Sequence, residues 1–357
     1  MIATPVSRSL SACKRLGFVG LSCCFASAMY AQQVPAHYKV VDKGLSLVRT
    51  LTDTPGLNNH GDIAIWHPIS ASQLPGVIFH GDDSINIEGE KDFSFVYPAD
   101  INDRLTVVGT LQQPQDLRFT RAFKWNDHHL ETLNSLGGAY TAATAINTVG
   151  DVAGSAQTSS GARHAVLWRG KQPRDLGLLA RGDYSSARDL NDRTEIIGEA
   201  NLSPNGKPKA FLWRNGVMKQ LPDLPDALFC SAQSINNHGI ITGSCGLADG
   251  GVRAVIWKDG VVADLGALGG GEGPTTALDI NDHGQVVGCS SADDKLRAFL
   301  WQNGKMVDLN QSITPHSGWL LMVASRINNK GEILGRGFYK GYIHVFLLQP
   351  DEPPPPQ

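Results

Sequence analysis

The sequence has little charge and few aromatic residues. Of 357 residues, 18% are charged and 7% are aromatic, and the formal net charge is −3. A nucleic-acid interface needs a concentrated basic surface, so this balance argues against nucleic acid as a partner. The sequence also lacks HExxH, a zinc-spaced Cys/His set, a phosphate-binding glycine loop and a Gly-x-Ser-x-Gly elbow. It therefore predicts no catalytic residue, no metal and no cofactor.

Glycine and proline, in contrast, are abundant. The chain has 39 Gly and 19 Pro, and both residues interrupt helices while they favour turns. This composition predicts an all-β protein of many short strands.

The N-terminus is typical of a secretory signal. Basic residues precede a short apolar stretch that is too short for a permanent membrane anchor. Ala28 and Ala31 offer two cleavage points, so residues 1–31 are predicted to be the signal. A lipoprotein signal at Cys23 or Cys24 is an alternative, although the residues before each cysteine fit it poorly.

The remaining chain is expected to be exported, to the periplasm or the extracellular space. No other stretch is apolar enough for a transmembrane segment. Residues 350–357 contain four consecutive prolines, which favour a disordered tail. Residues 37–349 are left as the folded part, which we expect to be a monomer.

This folded part is a repeat. A short sequence phrase recurs every 44 to 47 residues. It consists of an apolar residue, Asn, two variable residues, usually Gly, and then an apolar run. Asn and Gly at the first and fourth positions favour a type I turn, so each asparagine is predicted to cap a hairpin. These turn asparagines are Asn58, Asn102, Asn147, Asn191, Asn236, Asn281 and Asn328.

A second phrase, a basic residue followed by Ala, two apolar residues and Trp, follows five of the turns, and degenerate copies follow the first and the last, at Pro75–Phe79 and His344–Leu348. In Arg297-Ala298-Phe299-Leu300-Trp301, one face of the strand is small and the other is bulky, and both are apolar. Such a strand needs cover on both faces, as stacked sheets provide.

Four strands per repeat match the size of a propeller blade. The seventh copy stops after its third strand, and residues 38–44 resemble a fourth strand. The sequence therefore predicts a seven-bladed β-propeller of four-stranded antiparallel blades, with the ring closed by the N-terminal strand, which completes the last blade.

Both phrases resemble those of the HAF-repeat proteins, also called probable extracellular repeat proteins. The resemblance covers essentially the whole mature chain. Copy one departs from it, because Ile65 and Trp66 replace the glycine end of the second strand and Pro75 replaces the basic residue. The resemblance implies export and a repeat architecture, and it implies no activity.

The basic residue that opens the third strand has two interpretations, an anion site or cross-strand ion pairing. An Asp lies eleven residues after His164, Arg253 and Arg297, where a hairpin would bring it beside the basic residue. In the seventh copy, the expected partner of His344 is Asp42. Spacing therefore favours a structural role for His164, Arg253, Arg297 and His344.

Arg121 and Lys209 lack such an acid and are weak candidates for ligand binding. Trp319, in the long link before the seventh repeat, is a third candidate. The repeated tryptophans are expected to pack between blades instead.

Three cysteines remain after signal removal. Cys230 and Cys245 lie opposite each other in a predicted hairpin, so a disulfide is plausible, and Cys289 is left unpaired.

Two functions are compatible with this sequence. The first is a non-enzymatic binding or scaffold module for a polysaccharide, an envelope component or a protein, which it would bind through the variable loops between second and third strands. The alternative is a glycan lyase or hydrolase with its site at the channel mouth.

Overall fold

The computed structural model describes residues 37–45, 55–66 and 74–351. The predicted signal at 1–31 and most of the predicted tail lie outside these ranges, although Pro350 ends a strand. The helices in the described ranges are two short 3₁₀ helices, Leu268–Gly270 and Leu309–Ser312. Neither has the length and apolar character needed to cross a membrane.

The strands follow the repeats in chain order. Strand β1 (Tyr38–Leu45) precedes the first repeat. The first three repeats contain β2 (Gly56–Leu57), β3 (Ile63–Trp66), β4 (Gly76–His80) and β5 (Asp83–Ile87); β6 (Phe95–Ile101), β7 (Val107–Gln112), β8 (Thr120–Asn126) and β9 (His129–Thr132); and β10 (Gly137–Ile146), β11 (Val152–Thr158), β12 (Arg163–Trp168) and β13 (Pro173–Asp175).

The last four repeats continue the pattern. They contain β14 (Ser185–Leu190), β15 (Ile196–Ala200), β16 (Lys209–Arg214) and β17 (Val217–Gln220); β18 (Ala227–Ile235), β19 (Ile241–Leu247), β20 (Val252–Lys258) and β21 (Val261–Asp264); β22 (Thr275–Ile280), β23 (Val286–Ala292), β24 (Lys295–Gln302) and β25 (Lys305–Asp308); and β26 (Trp319–Ile327), β27 (Ile333–Tyr339) and β28 (Tyr342–Pro350).

The sheets correct the predicted number of blades. Strands β6 to β13 form one eight-stranded sheet, because Tyr140 of β10 makes a parallel bridge with Thr120 of β8. The other described strands form five separate four-stranded antiparallel sheets. The fold is an all-β propeller as expected, but the prediction of seven separate four-stranded blades is wrong.

The prediction that the N-terminal strand closes the ring is not supported either. Strand β1 lies antiparallel along β28 at the edge of the last sheet, whose order is β1-β28-β27-β26. The first and last turns are joined elsewhere, where Asn328 Nδ2 donates to the carbonyl oxygen of Asn58 over 3.0 Å. Strand β1 is therefore an edge strand of the last sheet. The asparagine turns, not β1, connect the last repeat to the first.

The core lies between neighbouring sheets. Ala122 of the second repeat packs with Trp168 of the third, and Leu167 of the third packs with Phe211 and Trp213 of the fourth. Each contact sets the small face of one repeat against the bulky face of the next, which buries apolar surface on both sides of the sheets.

Each asparagine turn is held by its own side chain. In the fifth repeat, Asn236 Oδ1 accepts the N–H groups of His238 and Ile240 at 3.1 and 3.0 Å, and Gly239 N donates to Asn236 O. Gly239 has φ +76, in the left-handed region, which explains the glycine at the fourth position.

The amide groups also link the turns to one another. Each asparagine Nδ2 donates to the carbonyl oxygen of the next repeat's asparagine, at 3.0 to 3.3 Å, and the last donates to the first. All seven residues are buried. We call this closed series of seven bonds the asparagine circle.

Replacing one member of the circle should destabilise the whole fold. Asn236→Ala removes three hydrogen bonds and leaves buried backbone groups without partners, so we expect a loss of about 2–4 kcal/mol in the free energy of unfolding. The measurement is denaturant unfolding. Asn134→Ala, at an exposed position outside the circle, is the control and should change stability by less than about 0.5 kcal/mol. Equal stability of the two variants would contradict a structural role for the circle.

Candidate functional site

The first strands of the repeats surround a central channel with two ends. The narrow end, about 200 Å³, is formed by the asparagine turns. The wide end, about 520 Å³, lies on the side of the loops between second and third strands. Thr144, Arg188, Gln233 and Arg326 line both ends and therefore mark the waist of the channel.

Polar groups at the narrow end are engaged within the protein. The residue after each asparagine forms an outer series of bonds: Asn237 N donates to Asp282 Oδ1 over 2.8 Å, and Asp282 N donates to Asn329 Oδ1 over 2.9 Å. Amide and carboxylate groups there hold neighbouring turns together, which leaves them less available to a ligand.

Three aspartates form a second layer, two residues before the asparagines of alternate repeats. Each carboxylate accepts an N–H of the following repeat. Asp100 Oδ2 accepts Ile146 N at 2.9 Å, Asp189 Oδ2 accepts Ile235 N at 2.8 Å, and Asp279 Oδ2 accepts Ile327 N at 2.8 Å. These carboxylates tie repeats together in pairs.

The aspartates share an enclosed environment. Removal of water by burial raises the pKa of Asp100 to about 6 and that of Asp189 to about 7, and it raises the pKa of Asp279 as well. The positive charge of Arg326 opposes each shift, while the three carboxylates repel one another. Arg188, at the waist, is the other cation lining this part of the channel.

The wide end has a different chemistry. Its charged lining groups, among the described residues, are three guanidinium groups, those of Arg188, Arg326 and Arg336, with no carboxylate. Three half-buried aromatic residues, Trp66, Tyr97 and Tyr140, line it as well. We call this wide end the arginine cavity.

Packing holds these groups in place. Trp66 and Tyr97 meet edge to face with ring centroids 6.0 Å apart. Arg326 Nη1 donates to Ser325 O over 3.3 Å, and Arg336 is only 6% exposed. Arg188 lies 3.9 Å from Glu199, at the edge of ion-pair distance. The cavity is therefore lined by guanidinium and aromatic groups that the surrounding packing holds in place.

The residues predicted to bind ligand lie outside this cavity and have partners. Arg121 lies 3.2 Å from a carboxylate oxygen of Glu90 and over the ring of Phe93. Lys209 Nζ lies 2.7 Å from Asp223. The structure does not bring these two together with Trp319.

Trp319 belongs to an aromatic cluster in the last sheet. Its ring stacks on Tyr339, with centroids 4.6 Å apart, and meets His344 and Phe346 edge to face. It also borders a shallow groove with His37.

The other basic residues of the third strands lie beside acids. The distances are 2.8 Å for His164 and Asp175, 3.9 Å for Arg253 and Asp264, 4.0 Å for Arg297 and Asp308, and 2.9 Å for His344 and Asp42.

Cys230 and Cys245 form a disulfide across the β18–β19 hairpin, and Cys289 is free. Burial raises the pKa of the Cys289 thiol to about 11, which disfavours a reactive thiolate. Within the ranges that the structure describes, no cluster of His, Cys, Asp and Glu could hold a metal ion.

Sequence reasoning missed the aspartate layer and the arginine cavity. The layer has a signal: the position two before each asparagine carries Asp in the second, fourth and sixth repeats. The cavity has a weaker signal, since Trp66 and Arg336 occupy one repeat position that is otherwise Thr, Ser, Glu or Cys.

Comparison with known proteins places the fold. No protein-family model and no curated protein matches the sequence. The β-propeller domain of the Trilobed protease from Pyrococcus furiosus is similar, with a TM-score of 0.57 at 9% identity, covering 88% of this chain and 95% of that one. A puromycin-hydrolyzing peptidase from Mycobacterium tuberculosis has a TM-score of 0.53 at 12% identity, covering 89% and 53%. At such identities the likeness shows the β-propeller fold alone.

TolB from Acinetobacter baumannii has a TM-score of 0.47 at 15% identity, covering 84% of this chain and 66% of that one. This chain therefore spans about half the length of the peptidase and slightly less than two thirds of TolB.

The aspartate layer predicts a loss of stability as the pH rises. Folded Asp189 keeps its proton up to about pH 7, whereas the unfolded chain releases it near the ordinary pKa of aspartate. The folded state therefore binds more protons between these values, and the free energy of unfolding should fall by about 2–4 kcal/mol between about pH 4 and pH 8.

Thermal and denaturant unfolding across this range would measure the effect. Asp189→Asn should flatten the slope, because it cannot ionise, while the control Asp249→Asn, at an exposed turn, should keep the slope of the wild type. An unchanged slope in Asp189→Asn would show that this carboxyl does not titrate as described.

Proposed function

We propose that this protein is an exported β-propeller module that binds an acidic polysaccharide in the arginine cavity. The observation that carries the proposal is the lining of this cavity: three arginines and three aromatic rings, with no described acid among the lining residues. An envelope component or a protein that presents the same acidic groups is included in the wider class of partners.

The chemistry of the cavity suits a sugar acid. A guanidinium group presents paired N–H donors that match the two oxygens of a carboxylate. Aromatic faces such as that of Trp66 cover the apolar face of a sugar ring, and their rigidity keeps the entropic cost of binding low. Gln233 and Thr144 add neutral hydrogen-bonding groups for hydroxyls.

Topology supports access from the loop side. Since strands within a sheet are antiparallel, the asparagine turns and the loops between second and third strands lie at opposite ends of each sheet. The arginine cavity lies at the loop end, where segments of variable sequence between β7 and β8, β15 and β16, and β19 and β20 surround the channel.

Two features support export. The N-terminal segment has the composition of a secretory signal, and the Cys230–Cys245 disulfide is of a kind that persists in oxidising compartments. The resemblance to HAF-repeat proteins, which we propose as the family, agrees with this location. We further propose that the mature protein acts as a monomer.

The hydrolase or lyase alternative has less support. Asp100, Asp189 and Asp279, which line the neighbouring narrow end of the channel, accept backbone N–H groups that hold the repeats together. Hydrolysis would need a free acid and a second carboxylate at the scissile bond.

Arg188→Ala provides the test of binding. The variant should lose at least about tenfold in affinity for acidic glycans, because one of three cationic groups is removed. Arg104→Ala, at an exposed position within an asparagine turn, is the matched control and should bind like the wild type. A glycan array with acidic and neutral members, followed by calorimetry on the hits, measures both variants.

The same glycans should be incubated with the wild type and screened for cleavage. Intact glycan after incubation is expected. Product release would contradict a pure binding module, and equal binding of neutral and acidic glycans would contradict the role of the arginines.

A further inference from the structure

A second hollow lies beside the arginine cavity, between the second and third repeats. It has a volume of about 660 Å³, and Tyr140 lines both spaces. Its other main lining residues are Leu117, Phe119 and Arg163. We call it the side groove.

Exposed apolar groups form one wall of the side groove. Leu117 is 60% exposed and Phe119 is 42% exposed, both in the loop between β7 and β8. Large exposed apolar side chains that cluster beside a cavity mark a binding surface more often than isolated ones do.

The opposite wall is cationic. The Arg163 guanidinium lies 4.0 Å from the centre of the Tyr140 ring, and no carboxylate within the described ranges forms an ion pair with it. The other guanidinium of the groove, that of Arg118, is bound to Asp116 at 2.7 and 2.9 Å. One uncompensated positive charge therefore remains, and no acid lines the groove in the described structure.

The floor between the two spaces is rigid. Tyr140 is fixed by its bridge to Thr120, the contact that merges two repeats into the eight-stranded sheet. Thr120 Oγ1 donates to Thr141 O over 3.0 Å, and Thr141 Oγ1 accepts Ala122 N at 2.7 Å. These bonds fix the backbone that carries Tyr140 between the two spaces.

We propose that the side groove is a second subsite for the same acidic polysaccharide, so that the site takes an extended chain that runs outward from the arginine cavity between the second and third repeats. This inference rests on the proposed function. Tyr140 is shared by the two subsites, Arg163 takes an acidic group of the chain, and Phe119 covers a sugar ring.

The dependence of binding affinity on the length of the glycan tests the proposal of a second subsite. Calorimetry with a uronate disaccharide and a uronate octasaccharide should show that the wild type binds the longer probe about tenfold more tightly, since a second subsite adds contacts within one ligand. Phe119→Ala and Arg163→Ala should each remove most of this gain and leave the affinity for the disaccharide unchanged.

Two control variants match the changes. Phe338→Ala removes a phenyl ring that is 46% exposed in a different repeat, and Arg104→Ala removes an exposed guanidinium from an asparagine turn. Both should keep the full gain, and thermal melts should show all four variants folded.

The outcomes separate the two proposals. A wild type that binds both probes equally, or groove variants that keep the gain, would overturn the side groove while the arginine cavity stands. A wild type that binds neither probe would overturn the proposed function and the side groove with it.

Discussion

The architecture depends on one side-chain amide per repeat. Each turn asparagine uses its oxygen to hold its own turn and its Nδ2 group to reach the next turn. Because these amides are buried, water cannot replace the hydrogen bonds of an asparagine side chain that is removed, and its former donors and acceptors are left unsatisfied. This requirement fixes one asparagine at one position of every repeat, which accounts for the near-constant spacing of the sequence phrase.

The aspartate layer obeys a related constraint. Carboxylates at neighbouring positions would repel one another, and from the second to the sixth repeat Asp alternates with Ala or Ser. Seven positions cannot alternate completely. The pattern breaks at the last and first repeats, which carry Arg326 and Gly56 at this position. The positive charge of Arg326 lies near the three acids and lowers the cost of their burial.

Periodic features could be predicted from the sequence, and single contacts could not. The small and bulky faces of the third strands predict packing between repeats, as Ala122 and Trp168 illustrate. The fusion of two repeats rests on one bridge, between Tyr140 and Thr120, and depends on how the ends of two strands align in space. The arginine cavity draws on distant repeats, so its composition emerges only when the strands are placed around the channel.

The position of the cavity follows from the same symmetry. Where every repeat obeys the shared constraints, its polar groups are engaged in holding neighbours, as at the narrow end of the channel. Trp66, Arg326 and Arg336 belong to the first and last repeats and depart from the residues found at equivalent positions. All three line the arginine cavity. Residues that depart from the repeat pattern thus collect where the first and last repeats meet, on the side of the channel away from the circle of turns.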